Sequence, residues 1–345
     1  MNRIQLTTIG LVFFALTSAA HAQDVIEDDL KATVSTAATA ENPDGWKLGL
    51  TLGATISFQH NSKVVGSVDG ANFQLGLVMD GFANFRSGNH EWQNSLGIRE
   101  TFTKTPNVDL FLKSTDSLAL KTTYLFRIPD VDWLGPFVRV SLDTSIFEGY
   151  DARATDTTVL RTKTNGDAAT EVIPAQEAID LTGYFEPLTL KEVAGVFANP
   201  VQEKEIQVNI QLGVGGTQTF TQNGYVLADK ADTPELELNQ IEDFQQAGGE
   251  LEIGIKGQVE EYMTWGTNAS FFQPFYSSID NGLSGLDLMT IKFNAGVSVR
   301  LAKWASLDYV LTAKREPLIL DEWQVQNGLL LTAGFSIFSD EPTAP

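Results

Sequence analysis

One stretch of this sequence, residues 46–59, constrains the fold more strongly than any other. Its sequence is WKLGLTLGATISFQ, in which apolar residues alternate with polar residues or glycine. Because successive side chains of a β-strand point to opposite faces, this alternation predicts a strand with one apolar and one polar face. At about 3.3 Å per residue the strand would be roughly 45 Å long, which is enough to cross a bilayer at a tilt.

The same alternation recurs as far as the C-terminal region and predicts an all-β protein. The stretches that carry it include residues 71–86, 90–103, 117–128, 134–147, 205–220 and 326–338. Strands with one face for lipid and one for water must close on themselves, because an open edge would leave backbone groups unpaired in hydrocarbon. The pattern therefore predicts an antiparallel transmembrane β-barrel.

The strand number follows from loop lengths. Barrels of this class keep both chain ends in the periplasm, with short turns there and long loops outside. Short turns are expected near residues 261–262 and 303–304, and long extracellular loops at residues 148–184, 221–248, 274–288 and 315–325. Alternating strand directions backwards from the C-terminus requires one further descending strand, which we assign to residues 185–198 although their alternation is poor. The count becomes about twelve.

The tryptophans are sorted by strand end, which separates a membrane barrel from a soluble β-sandwich. Of the six tryptophans, five lie within a few residues of a predicted periplasmic strand end: Trp46, Trp92, Trp133, Trp265 and Trp304. Trp323 is the exception. Tryptophan favours the headgroup layer because its ring is partly apolar and partly polar. A soluble sandwich gives no reason for this sorting, so the barrel is favoured.

The N-terminal residues have the features of a secretory signal. Arg3 supplies a positive charge, residues 4–16 are mostly apolar, and Ala20-His21-Ala22 has the small-x-small form of a cleavage site. We therefore expect a signal peptide at residues 1–22, a disordered periplasmic leader at residues 23–44, the barrel at residues 45–338 and a short C-terminal tail at residues 339–345.

Charge and cysteine content exclude several classes of function. The formal net charge is −21, and the chain contains no cysteine. Nucleic-acid binding depends on lysines and arginines that contact phosphates, so a strongly acidic chain argues against it. Without cysteine there is neither a disulfide framework nor a thiolate metal site.

Three short motifs in the first half of the chain are distinctive. They are GWKLG at residues 45–49, NFRSGNHEWQNSL at residues 84–96 and SLALKTTY at residues 117–124. In these motifs the chain resembles an uncharacterised family of bacterial outer-membrane β-barrels, a domain of unknown function, and the resemblance is best over residues 45–147. It implies a barrel in the outer membrane. It implies no activity, so it offers no catalytic residues.

Candidates for catalysis or metal binding are few. The tripeptide His60-Asn61-Ser62 has the His-x-Ser spacing of outer-membrane phospholipases, but no second feature supports a serine nucleophile with its base there. The carboxylate pairs in Asp130-Val131-Asp132 and Glu250-Leu251-Glu252 supply fewer oxygen ligands than a cation requires. We therefore expect no enzyme, no cofactor and no metal site.

Charged residues on the predicted lumen face are the candidate functional residues. On the predicted registers these are Lys47, Arg86, Arg99, Lys121, Arg127, Arg139, Lys256, Lys292, Arg300, Asp80, Asp143 and Glu252. This wall is mixed and slightly basic although the whole chain is acidic. A charged wall that faces water biases which ions enter, so these residues are predicted to select solutes.

The sequence predicts an outer-membrane channel for diffusion of small polar or anionic solutes. The alternative is that the lumen charges pair across the barrel and close it. The protein would then be a structural or surface-binding barrel that acts through its long acidic extracellular loops. A lipid-modifying enzyme is a third alternative. The expected partners are outer-membrane lipids and small polar solutes, without nucleic acid, and the sequence does not give the oligomeric state.

Overall fold

A computed structural model describes residues 44–61, 70–228, 233–279, 282–302 and 304–339. The predicted signal peptide, nearly all of the predicted leader and tail, and Ser62 lie outside the described residues. Within the described ranges the regular elements are β-strands and one 3-10 turn, Gly285–Leu288. No helix in that part of the chain is long and apolar enough to cross a membrane.

The described chain forms a series of strands that we number in chain order. They are β1 (Gly45–Asn61), β2 (Gly70–Ser87), β3 (His90–Thr105), β4 (Val108–Phe126), β5 (Leu134–Thr144), β6 (Gly149–Ala152), β7 (Thr157–Thr162), β8 (Ala168–Ile173), β9 (Ala178–Thr182), β10 (Leu188–Gln202), β11 (Gln207–Phe220), β12 (Tyr225–Leu227), β13 (Leu236–Gln240), β14 (Phe244–Val259), β15 (Met263–Ser277), β16 (Thr290–Ala302), β17 (Ala305–Glu316) and β18 (Leu320–Ser339).

Twelve of these strands form one closed antiparallel barrel. Their order is β1-β18-β17-β16-β15-β14-β11-β10-β5-β4-β3-β2, and β1 closes the ring against β18. Closure pairs every barrel strand on both sides, as a lipid-embedded sheet requires. The predicted fold class and the predicted number of strands are confirmed, and the poorly alternating residues 185–198 correspond to β10.

β1 shows how the alternation separates the two faces of the wall. Trp46, Leu48 and Ile56 lie on the outer face and are 51%, 48% and 67% exposed, as expected for side chains that meet lipid. Thr51 lies on the other face, directly opposite Asp80 of β2. The outer face is therefore apolar and the inner face polar, as predicted.

Aromatic side chains mark the periplasmic end of the barrel. The Trp46 ring packs against Phe85 and Trp92, with ring centroids 5.1 and 6.1 Å away. Trp133 and Trp304 lie in the connections at the same end and are about half exposed. This girdle occupies the level where a membrane offers polar headgroups beside hydrocarbon.

The predicted periplasmic turns agree with the structure, whereas one predicted extracellular loop does not. The expected long loop at residues 315–325 is wrong, because β17 continues to Glu316 and β18 begins at Leu320. The polar residues there indicate a loop, but Arg315 and Asp321 instead form an ion pair of 2.5 Å across a tight hairpin. The expected short turns near residues 261–262 and 303–304 are confirmed.

Two long segments, residues 145–187 and 221–243, fold together, and we call them the loop subdomain. β13 of the second segment pairs in parallel with β7 of the first, within a four-stranded sheet of order β12-β13-β7-β8. β6 and β9 form a second, two-stranded sheet. The buried core of the subdomain consists of Val159, Ile179, Leu227, Leu236 and Leu238. The long polar loops that the sequence predicts are therefore a structured unit.

Polar contacts hold the loop subdomain together and attach it to the barrel. Glu186, which is 3% exposed, accepts hydrogen bonds from the backbone N–H groups of Gly183 and Gly224 at 2.5 and 2.8 Å. These glycines belong to different segments, so one carboxylate joins the two. The Gln176 side chain donates to the carbonyl of Asn107, in the β3–β4 turn, at 2.8 Å.

Candidate functional site

All the sequence-predicted site residues lie on the interior face of the barrel. They are Lys47 on β1, Asp80 and Arg86 on β2, Arg99 on β3, Lys121 on β4, Arg127 just after β4, Arg139 and Asp143 on β5, Glu252 and Lys256 on β14, and Lys292 and Arg300 on β16. The structure brings only some of them together. Their role in solute selection stays a prediction.

Arg139 contacts several polar groups inside the barrel. Its guanidinium forms ion pairs with Glu250 and Glu252 and donates to the Gln211 Oε1 at 2.8 Å. β10 and β11 separate β5 from β14, so this side chain reaches across two strands. The Arg139 and Glu250 side chains are 4% and 2% exposed, and such a buried pair needs several hydrogen bonds to offset its desolvation.

Two lysines extend this network. Lys191 of β10 forms an ion pair with Glu250, and its ammonium lies 5.0 Å from the centroid of the Phe272 ring. Lys121 of β4 lies 3.4 Å from Glu252, although β5, β10 and β11 stand between their strands. The long side chains of this part of the interior therefore project from the wall and meet one another.

A second set of pairs continues the charges around the barrel. Glu316 of β17 forms ion pairs with Lys292 of β16 at 2.8 Å and with Lys314 of its own strand at 3.0 Å. Lys292 and Lys314 are directly opposite in the strand register, so the carboxylate separates two like charges. We use the term charged belt for Lys121, Arg139, Lys191, Glu250, Glu252, Lys292, Lys314 and Glu316.

In three pairs of the charged belt the lysine is more exposed than its carboxylate. Side-chain exposure is 26% for Lys121 against 11% for Glu252, 21% for Lys191 against 2% for Glu250, and 32% for Lys292 against 15% for Glu316. Arg139 and Lys314 are 4% exposed and remain within the packed side chains. At this level of the barrel, a larger fraction of these three lysine side chains than of their carboxylate partners is therefore open to solvent.

Glycines on β11 give the barrel wall no side chains at two interior positions beneath the charged belt. The register places Gly213 and Gly215 on the interior face between β10 and β14, on the route that the Arg139 side chain takes. A Cβ atom at Gly215 would lie 2.0 Å from the carbonyl oxygen of Glu192, so only glycine fits there.

An apolar cluster also lies on the interior face, and the sequence pattern did not reveal it. Leu125, Phe137, Val193 and Phe197, on β4, β5 and β10, are all 2% exposed or less. The Arg139 guanidinium lies 5.8 Å from the centroid of the Phe137 ring, so the cluster adjoins the charged belt. We call it the interior apolar cluster. It fills lumen space on the same side as Arg139.

Other predicted lumen charges form local pairs outside the charged belt. Arg99, 2% exposed, forms an ion pair with Asp80 and donates to the carbonyl of Ile98 at 2.9 Å. Arg127 binds Glu91 through Nη2 at 2.6 Å. These contacts join neighbouring parts of the wall, so they stabilise the barrel locally and leave Arg99 little contact with water.

The interior face of β1 differs from the wall that carries the charged belt. Its residues are Gly49, Thr51, Gly53 and Thr55, and Gly53 lies opposite Gly334 of β18. We call these four residues the small-residue wall. The nearby Phe82 ring lies against this wall, because a Cβ atom at Gly49 would be 2.1 Å from Phe82 Cε1. No long side chain projects from these four positions.

Sequence reasoning missed several members of the charged belt for identifiable reasons. Lys191 lies in the stretch whose alternation is poor, so its face could not be assigned. Lys314 and Glu316 lie in or beside the segment that the polar residues indicate as a loop. Their i, i+2 spacing is the signal that places both on one face of a strand. Glu250, two residues before Glu252 on β14, faces the lumen with it.

Comparisons with solved structures return other outer-membrane barrels. The translocator domain of the autotransporter NalP from Neisseria meningitidis is 10% identical, with 88% of this chain and 92% of that chain covered and a TM-score of 0.38. An outer-membrane channel from Pseudomonas putida F1 is 10% identical, with 86% and 96% covered and a TM-score of 0.37. The β domain of the Bordetella autotransporter BrkA is 11% identical, with 85% and 99% covered and a TM-score of 0.34.

No protein-family model and no curated protein matches the sequence. The architecture therefore rests on the chain's own structure. A closed antiparallel barrel, an apolar outer face and an aromatic girdle at one end are the properties of bacterial outer-membrane proteins. The chain is an outer-membrane β-barrel.

Proposed function

We propose that this barrel is a narrow channel through which small polar solutes diffuse, with a preference for small anions. The observation that supports it is the exposure of Lys121, Lys191 and Lys292 inside the barrel, which exceeds that of the carboxylates they bind. Ammonium groups at a water-filled constriction lower the energy of a passing anion and raise that of a cation.

The preference is expected to be modest. The charged belt holds five cations and three carboxylates, and Asp143 adds another carboxylate on the interior face of β5. Carboxylates close to the lysines weaken their field at a distance, so the lysines act mainly on solutes that come into contact with them. A few-fold preference for chloride over potassium is the expected order of magnitude.

The charged belt and the interior apolar cluster limit the size of the solute. Barrels of about eight strands have interiors filled by side chains, whereas those of about sixteen leave an aqueous channel. This barrel has twelve strands, so the width of its passage depends on which side chains fill it. The proposed solutes are therefore small, and bulky sugars or peptides are excluded.

The proposal assigns no reaction to the barrel. His90 lies at the periplasmic end, where its Nδ1 is 2.6 Å from the Tyr124 hydroxyl and both side chains are exposed. Such a pair fits packing in the headgroup layer better than acid–base chemistry. Ser62, the nucleophile that the enzyme alternative needs, lies outside the described residues.

The experiment is a reversal-potential measurement on the mature chain in planar bilayers under a KCl gradient. The unmodified protein is expected to conduct and to prefer chloride. Replacing Lys121, Lys191 and Lys292 together with glutamine should remove or reverse that preference, because the paired carboxylates then dominate. Lys163→Gln, on the exposed surface of the loop subdomain, is the control and should change nothing. An unchanged preference in the triple variant would refute the proposal.

A second candidate function is surface binding through the loop subdomain. Its support is that residues 145–187 carry eight acidic and three basic side chains, and residues 221–243 carry six acidic and one basic. An acidic segment with a hydrophobic core of its own suits a cationic partner. The protein would then be a closed barrel that presents this surface.

The two candidates give different results when both loop segments are shortened. If the loop subdomain is the functional part, replacing both segments with short turns should abolish binding of a cationic probe such as polylysine. In that case no channel current should be measured in planar bilayers, either before or after the loops are shortened. If the channel proposal holds, the conductance should persist without the loop subdomain.

A further inference from the structure

We infer that the open edge of β8, in the loop subdomain, binds an extended cationic segment of a partner protein, which adds to the sheet as a further strand. This inference rests on the second candidate function, surface binding, and names the element that binds, the mode of binding and the class of partner. β8 carries none of the sequence-predicted site residues.

β8 is an edge strand whose outer side is open to solvent. In the sheet of order β12-β13-β7-β8 it has β7 on one side, and no other described strand pairs with it. Its residues from Ala168 to Val172 are all exposed, and Val172 is 66% exposed. The strand at the opposite edge, β12, has three residues, of which Leu227 belongs to the buried core. β8 is therefore the edge of this sheet that another strand can reach.

The hydrogen bonds of the β7–β8 hairpin show which backbone groups of β8 point outward. At the turn, the Lys163 N–H donates to the Asp167 carbonyl at 2.8 Å, so these two facing residues are a hydrogen-bonded pair. Hydrogen-bonded and non-hydrogen-bonded pairs alternate along an antiparallel ladder, and the register continues to the end of β8 without a shift. The N–H and C=O groups of Ala168, Thr170 and Val172 therefore point away from β7.

β8 lacks the features that usually protect an edge strand. Natural proteins place lysine, proline or a β-bulge at such edges, and these prevent pairing with another chain. The sequence of β8 is AATEVI, without lysine or proline, and its pairing with β7 has no bulge. Its one charged residue, Glu171, forms an ion pair with Arg161 of β7 at 2.9 Å and is thereby directed away from the open edge. Such an edge suits the addition of an extended peptide as a strand.

Carboxylates at both ends of β8 favour a cationic occupant over a second copy of this chain. Asp167 directly precedes the strand and is exposed. Beyond its other end, Asp156 accepts a hydrogen bond from the Ala175 N–H at 2.9 Å, and Glu177 is exposed. Lys163, in the turn, is the exposed cation of the hairpin. A second copy would bring like charges together, whereas lysines or arginines of an extended segment would be attracted.

The experiment measures binding of a fluorescent peptide to the mature barrel in nanodiscs of phosphatidylcholine, with empty nanodiscs as the background. The probe is a short peptide of alternating lysine and valine, which is cationic and favours an extended conformation. A matched peptide has the same sequence with methyl groups on its two central backbone nitrogens, one for each edge of the strand. It keeps the charge of the probe but cannot form the backbone hydrogen bonds of a strand.

Thr170→Pro is the variant that tests the edge, because it removes an outward N–H and keeps the hydrogen bonds between β7 and β8. Thr170→Ala loses the same side chain and keeps the N–H, so it is the matched control. The inference predicts that Thr170→Ala binds the probe as the unmodified protein does, whereas Thr170→Pro binds it at least about tenfold more weakly. The methylated peptide should bind the unmodified protein equally weakly, and this comparison does not depend on the folding of a variant.

Equal binding of the methylated and unmethylated peptides would overturn the inference, because attraction by charge alone would then explain both. If polylysine still bound the loop subdomain, surface binding would remain a candidate function without β8 as its site. Binding of neither the peptides nor polylysine would overturn the inference and the surface-binding function together. A dimer in native mass spectrometry that Thr170→Pro abolishes would also overturn the inference, because the occupant of the edge would then be a second copy of this chain.

Discussion

The two sides of the barrel interior differ in the size and packing of their side chains. On β4, β5, β10 and β14, long side chains leave the wall and pair with one another, and an apolar cluster packs beside them. On β1, the interior residues are glycine and threonine, and Phe82 lies flat against the wall. One side, the filled side, is therefore packed with long side chains from several strands, whereas the other carries glycine and threonine beside the Phe82 ring and the buried Val78 and Arg99.

The same asymmetry continues beyond the membrane. The loop subdomain connects β5 to β10 and β11 to β14, all of which belong to the filled side. By contrast, β18, the strand next to β1, is joined to β17 by a tight hairpin. The filled side thus carries both the interior packing and the structured extracellular part. We expect perturbations of stability to be large on this side and small on the other.

The largest expected effect is that of Arg139→Leu. It leaves the buried carboxylates of Glu250 and Glu252 without their main partner, which should lower the free energy of unfolding by about 3 to 5 kcal/mol. Urea unfolding of the refolded barrel in lipid vesicles measures this change. Arg300→Leu, at an exposed interior position, is the control and should cost less than about 0.5 kcal/mol. Similar costs for both variants would break the distinction between the two sides.

Phenylalanines on the two sides give a matched comparison. Phe197→Ala should lower the free energy of unfolding by about 3 kcal/mol, because Phe197 is fully buried in the interior apolar cluster. Phe82→Ala should cost roughly half as much, since that ring packs on the wall and remains partly exposed. The same urea titration measures both. A greater cost for Phe82→Ala would contradict the assignment of the filled side.

A smaller, local effect is expected in the loop subdomain. Glu186→Gln weakens the hydrogen bonds from Gly183 and Gly224, and it should cost about 1 to 2 kcal/mol because the acceptor loses its charge. Hydrogen exchange should become faster in β9 and β12, whereas β14 should keep its protection. Uniform loss of protection, including β14, would show that the subdomain and the barrel unfold as one unit.

The smallest effect is expected at the surface. Arg161 and Glu171 form an ion pair of 2.9 Å in the loop subdomain, but the Glu171 side chain is 51% exposed. Glu171→Gln should therefore change the free energy of unfolding by less than about 0.5 kcal/mol. Thermal unfolding at low and high salt checks this. A loss above 1 kcal/mol would mean that the exposed pair supports the fold.

Local alternation predicted the barrel because lipid and water impose opposite requirements on neighbouring residues of every strand. It placed all the predicted lumen charges on the interior face, from Lys47 to Arg300. It missed the interior apolar cluster, since Leu125 and Phe137 occupy positions where the pattern expects polar residues. Apolar side chains face a lumen where neighbouring strands can pack them together. The residue pattern of one strand does not contain that information.

The loop subdomain was also beyond local reasoning. β7 and β13 belong to segments that are far apart in the sequence, and their parallel pairing depends on the barrel bringing those segments together. The hairpin between β17 and β18 was missed for a related reason. Arg315 and Asp321 each indicate a loop when considered alone, whereas together they form an ion pair across strands.

The most direct test of the account is the reversal potential of the unmodified mature barrel in a planar bilayer with a tenfold KCl gradient. The account predicts discrete openings whose reversal potential has the sign of chloride preference. A silent bilayer, or a reversal potential of the opposite sign, would contradict the central proposal that lysines of the charged belt line a water-filled passage.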